Sequence, residues 1–232
     1  MNLLLVSNST QFGGGYLEHC RDRLVETIGS GRRRVVFVPF ALADHDGYAH
    51  KARTAFEAMG YAFSSIHTAA DAQALLADTD GVFVGGGNTF RLLDQLQRRG
   101  LVDAIRARVL AGMAYSGASA GINVACPTIK TTNDMPIVMP ASFTAMGLVP
   151  FQINPHYLDP ELGSRHMGET REQRIREFHE ENFRTVVGLR EGGMIRVQGG
   201  RAWVLGGRPL RVFRRGEEAR EIADGSDVSF LL

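Results

Sequence analysis

Short apolar runs alternate with amphipathic stretches through the first half of the chain. Residues 3–7, 34–40, 62–67 and 81–84 are compact apolar runs that predict strands. Between them lie stretches with helical spacing. Residues 16–28 place Leu17, Cys20, Leu24 and Ile28 on one face and are stopped by Gly29 and Gly31. Residues 46–59, 70–77, 89–99 and 102–110 read as further helices, and 112–116 as a strand. Apolar strands separated by helices predict a mainly parallel sheet covered on both faces.

The pattern changes after the middle of the chain. Gln152-Ile153-Asn154-Pro155-His156 reads as a short strand ended by proline, and Thr170 with Gln173 forms a capping-box signature before a helix. Residues 185–189, 194–198, 202–205 and 210–214 are short strands separated by glycine without helices between them, which predicts antiparallel hairpins at the edge of the sheet. No repeat or linker interrupts the chain, so a single α/β domain over residues 1–232 is expected.

Composition narrows the function classes. With 44% hydrophobic and 22% charged residues the chain reads as an ordinary globular protein. A formal net charge of +1 argues against nucleic acid or an anionic membrane held by bulk electrostatics. The apolar start is too short for a signal peptide and no run approaches a membrane span, so a cytoplasmic location is the default expectation. Two cysteines, Cys20 and Cys126, form neither a disulfide framework nor a metal-ligand pattern.

The chemistry concentrates at three polar or glycine-rich turns that follow apolar strands: Ser7-Asn8-Ser9, Gly85-Gly86-Gly87-Asn88-Thr89 and Gly117-Ala118-Ser119-Ala120-Gly121. In parallel sheets ligands bind beyond the carboxyl ends of the strands. The third turn fits a G-x-S-x-G elbow, in which a strained strand-to-helix turn exposes a serine nucleophile. The triple glycine fits neither a dinucleotide fingerprint nor a P-loop. Its expected role is an oxyanion donor from Gly87 or Asn88, beside the amide of Ala120.

A serine nucleophile needs a base and a group that orients the base. Of seven histidines, His156 alone emerges from a strand end into a proline-stiffened loop. Asp134, in a polar turn, and Glu191, at a strand end, are both candidate acids, and spacing does not separate them. Arg171, in the first turn of its helix, is a candidate for binding a substrate carboxylate. A metal site from His156, Asp159, Glu161 and His166 is conceivable but lacks a helical ligand pair, so neither metal nor cofactor is expected.

Five stretches together resemble the peptidase E family of aspartyl dipeptidases. They are 84–90, the elbow 117–121, Cys126-Pro127-Thr128-Ile129-Lys130-Thr131-Thr132-Asn133-Asp134-Met135-Pro136, Ile153-Asn154-Pro155-His156, and Gly168-Glu169-Thr170-Arg171-Glu172-Gln173-Arg174. The resemblance implies a flavodoxin-like fold related to class I glutamine amidotransferases, which carry cysteine where this chain has Ser119. It implies hydrolysis of Asp-Xaa dipeptides, with Ser119 as nucleophile and His156 as base. It favours Asp134 as the third member, with Glu191 as the rival. A monomer or homodimer is expected. The alternatives are a cyanophycinase-like hydrolase of β-aspartyl peptides and a non-catalytic protein that binds aspartyl peptides. A nucleotide-binding protein, suggested only by Gly85–Gly87, is a third.

Overall fold

The computed structural model describes residues 1–160 and 168–232. The strands are β1 (Asn2–Val6), β2 (Arg34–Val38), β3 (Ala62–Ser65), β4 (Gly81–Val84), β5 (Ala114–Ala118), β6 (Gln152–Pro155), β7 (Val186–Leu189), β8 (Met194–Gln198), β9 (Arg201–Leu205), β10 (Leu210–Phe213) and β11 (Arg220–Ile222). The helices are α1 (Arg21–Ile28), α2 (His45–Ala58), α3 (Ala72–Ala77), α4 (Thr89–Arg98), α5 (Leu101–Leu110), α6 (Ala120–Asn123) and α7 (Arg171–Glu181).

The main sheet has seven strands in the order β3-β2-β4-β5-β1-β8-β9. Its first five are parallel neighbours, and β8 and β9 extend it antiparallel beyond β1. Strand alternation divides the core between the two faces. Val35, Phe37 and Phe83 pack with Leu24 of α1 and with Ala52 and Phe56 of α2. Val36, Val38, Val82 and Val84 pack on the other face with Leu92 and Leu96 of α4 and Ile105 and Val109 of α5. The sheet therefore carries α1 and α2 on one side and α4 and α5 on the other, the α/β architecture that buried parallel strands require.

Two expectations change in detail. Residues 16–28 are not one helix. Leu17 adopts a left-handed conformation with φ 60°, and a 3₁₀ turn over Glu18–Cys20 precedes α1. That bend lets the Leu17 side chain reach the core, where it is fully buried. The C-terminal strands do not all lie on one sheet edge either. β8 and β9 join the main sheet, whereas β7 and β10 belong to a second sheet ordered β11-β10-β7-β6. Every residue of β7 is buried, which suits a strand paired on both edges, by β6 in parallel and β10 antiparallel. This second sheet matters because it carries the loop of His156.

Candidate active site

Ser119 stands between β5 and α6, at the carboxyl end of a strand flanked by the ends of β4 and β1. Its backbone has φ 52° and ψ −111°, outside the regions an L-residue adopts comfortably. The turn is held from both sides. The Ser119 amide donates to Val6 O at 3.1 Å, and Ser119 O accepts from Ile122 N at 2.9 Å. The buried Tyr115 hydroxyl donates to Gly121 O at 2.6 Å. Gly121 is required by contact, since a Cβ there would run into the Val84 backbone. Strand and helix thus approach closely enough to force the serine outward.

The second sheet brings His156 and Glu191 to the same place. β6 and β7 pair in parallel with Pro155 opposite Leu189, so the residues that follow each strand emerge side by side. Tyr157 N donates to Leu189 O at 3.1 Å and locks the two ends together. His156, like Ser119, has positive φ (50°). Its Nδ1 lies 2.7 Å from Glu191 Oε1 and its Nε2 lies 2.9 Å from Ser119 Oγ. A carboxylate only accepts, so in the neutral ring the proton sits on Nδ1 and donates to Glu191. The Nε2 lone pair is then free to accept from the serine hydroxyl, which is the arrangement a general base requires.

Two polar residues after β1 join the sheets at this point. Ser7 Oγ donates to Leu189 O at 2.8 Å and accepts from His156 N at 3.0 Å. Asn8 Oδ1 accepts from Gly192 N at 2.7 Å, fixing the turn that carries Glu191. The sequence marked Ser7-Asn8 only as a polar turn. Their work is long-range, and no local signal assigns it.

Asp134 is engaged elsewhere. Its Oδ2 accepts from Thr89 N at 2.7 Å, Thr89 Oγ1 at 2.5 Å and Thr132 Oγ1 at 3.1 Å, so it caps the first turn of α4. The structure places Glu191, not Asp134, against the imidazole. The rest of the Thr-Asn-Asp segment braces the strand that ends at His156. Thr131 Oγ1 donates to Ile153 O at 2.8 Å, and Asn133 Nδ2 donates to Pro155 O at 2.6 Å.

The oxyanion candidates also separate. Asn88 N donates to Ala41 O at 2.9 Å while Asn88 Oδ1 caps α4 through Arg91 N, so its amide is already used. The amides of Gly87 and Ala120 donate to no other group among the described residues. Gly87 has φ +135°, and a Cβ there would strike Ala41 O at 2.7 Å. Only glycine fits that turn. Arg171 opens α7, half-buried, and burial lowers its pKa; Asp134 opposes that shift by its charge. The capping box of Thr170 and Gln173 is formed just before it. Glu161 and His166 lie outside the described residues, and among the described residues no cluster of His, Cys, Asp and Glu is placed to hold a metal. No helix among them is long and apolar enough to cross a membrane.

A model of peptidase family S51 matches residues 3–205. The chain belongs to that family. Peptidase E of Streptomyces coelicolor is 56% identical over 232 residues, covering 100% of this chain and 95% of the relative. A Drosophila melanogaster protein named "Probable alpha-aspartyl dipeptidase" is 49% identical over 233 residues, covering 100% and 97%. The crystal structure of a peptidase from an acI-B1 Actinobacterium aligns with a TM-score of 0.72, covering 99% and 96% at 17% identity, and so shares the fold. This S51 chain is accordingly a peptidase of α/β fold.

The S51 site opens into a cleft of about 370 Å³ lined by Ser119, His156, Gly86 and Gly87, by Asn8, Ser9 and Thr10, and by Tyr16, Leu42, Tyr48 and Lys51. Neither cysteine belongs to it. Cys20 and Cys126 are fully buried, and burial pushes both thiols up to about 12. At pH 8 neither is a thiolate. Iodoacetamide is therefore expected to leave activity intact, and a thiol reagent to titrate both cysteines only after unfolding in guanidinium. Inactivation of the folded protein in step with alkylation would contradict this placement.

Proposed function

We propose that the protein is a serine dipeptidase that hydrolyses Asp-Xaa dipeptides, with Ser119 as nucleophile, His156 as general base and Glu191 as the group that orients it. The observation that carries this reading is the unbroken chain from Glu191 through both ring nitrogens of His156 to Ser119 Oγ, at 2.7 and 2.9 Å. Ser119 attacks the aspartyl carbonyl as its proton passes to Nε2. The amides of Gly87 and Ala120 receive the oxyanion, and loss of one such donor typically costs ~10²–10³ in kcat. The imidazolium then protonates the departing amine, and water cleaves the acyl-enzyme by the reverse sequence. Glu191 stabilises the imidazolium through its charge.

The substrate class follows the names of the relatives, peptidase E and alpha-aspartyl dipeptidase, at high identity over the full chain. Arg171 is the proposed partner of the aspartate side chain. It is a partly desolvated cation beside Asp134, which in turn binds Thr89, two residues beyond Gly87. Because Ser119 comes from the main sheet and His156 from the second, residues 1–232 act in this scheme as one domain. The buried free thiols suit a reducing cytoplasm.

A substrate panel tests the reading. Asp-Leu is expected to be cleaved far faster than Ala-Leu or a β-aspartyl-arginine peptide, and Arg171→Ala to erode the preference for Asp-Leu over Ala-Leu by about 10-fold or more. Preference for the β-linked substrate would assign the chain a β-aspartyl hydrolase activity instead. An unchanged Asp-Leu preference in Arg171→Ala would remove that residue from the scheme.

A further inference from the structure

We propose that Lys51 binds the C-terminal carboxylate of the leaving residue, so that the cleft recognises a dipeptide by both of its ends. The proposal rests on the dipeptidase reading above. Lys51 and Tyr48 are three residues apart on α2, on one face of the helix, and both line the cleft that holds Ser119 and His156. Among the described residues lining that cleft, Lys51 is the one Lys or Arg. Its Nζ sits 4.9 Å from the centroid of the Tyr16 ring and forms no ion pair among the described residues. Both acids of the same helix are paired elsewhere, Asp46 with His67 and Glu57 with Arg53.

The tyrosine beneath it supplies a second observation. Tyr16 Oη is buried against the Tyr48 hydroxyl, and both tyrosines line the cleft. Burial, with the Tyr48 hydroxyl beside it, pushes Tyr16 well above the ordinary phenol range, so it stays a neutral O–H donor. A carboxylate offers acceptors to an ammonium and a phenol together.

Position in the fold decides which substrate carboxylate this is. His156 Nε2 must reach the departing amine, so the leaving residue occupies the cleft that His156 lines. Its carboxylate lies within one residue of that amine, a span of ~3.3–3.6 Å for extended chain. Lys51 comes from α2, on one face of the sheet. Arg171 instead neighbours Asp134, which caps α4 on the opposite face. Lys51 and Arg171 thus stand on different sides of the sheet, and of the two Lys51 is the one that lines the cleft of Ser119 and His156.

The test compares Asp-Leu with Asp-Leu amide in wild type, Lys51→Met and Lys51→Arg. Wild type is expected to favour the free acid. Lys51→Met is expected to lower kcat/KM for Asp-Leu about 10-fold, chiefly through KM, and to bring the ratio of acid to amide close to one. Lys51→Arg is expected to keep most of the preference. A wild type indifferent to the carboxylate, an unchanged ratio in Lys51→Met, or equal losses on both substrates would overturn the proposal. If wild type cleaves neither substrate, the dipeptidase reading itself fails and this inference falls with it.

Discussion

His156→Ala is expected to lower kcat for Asp-Leu by about 10⁵–10⁶-fold with the chain still folded. Among the described residues the imidazole is the one group placed to take the Ser119 proton, at 2.9 Å, and the serine hydroxyl is a weak nucleophile without it. What survives is the contribution of the Gly87 and Ala120 amides and of substrate binding. Since nucleophile and base act as one unit, the double variant Ser119→Ala/His156→Ala is expected to be no slower than either single one. The side chain of His156 is 37% exposed, so its removal leaves no large cavity, and circular dichroism should report a native fold. A loss of only ten-fold would mean that another base serves Ser119.

Glu191→Gln and Asp134→Ala are expected to fail in different ways. Glu191→Gln keeps the shape but removes the charge that holds the Nδ1 tautomer and stabilises the imidazolium, and kcat should fall by about 10⁴-fold. The Glu191 side chain is 58% exposed, so stability should move by no more than about 0.5 kcal/mol. Asp134→Ala instead strips the cap from α4, where its carboxylate accepts from Thr89 N and Oγ1. Its expected cost is about 1 kcal/mol of stability, a fall of roughly 2–4 °C in Tm for a chain of this size. Activity should drop modestly, through the neighbouring Gly87 turn. Thermal unfolding and steady-state kinetics on the two variants check this directly. The reverse pattern, with Asp134→Ala catalytically dead and Glu191→Gln active, would return Asp134 to the role the family resemblance favoured.

That contrast marks where sequence reading stops. The parallel strands were legible because β2 and β4 carry apolar residues on both faces, and the elbow because small residues crowd around Ser119. His156 stood out through the proline before it. The acid could not be chosen locally, because the choice depends on β6 and β7 pairing in register, Pro155 opposite Leu189, within a sheet the sequence did not separate from the first. The same non-local register gives Ser7 and Asn8 their bridging roles. Asn88 looked as good an oxyanion donor as Gly87, and only the fold shows that Ala41 O already occupies its amide. Tyr48 and Lys51 were hidden for another reason. On α2 they read as ordinary members of an amphipathic helix, and their importance comes from what lies above the strand ends.

Release of p-nitroaniline from aspartyl p-nitroanilide, measured side by side for wild type and Ser119→Ala, tests the central claim most directly. The leaving group absorbs in the visible, and the substrate has no C-terminal carboxylate, so the assay reads acyl transfer at Ser119 apart from Lys51. Turnover by wild type and none above background by Ser119→Ala is the predicted result. Equal rates for the two proteins would contradict the assignment of Ser119 as nucleophile.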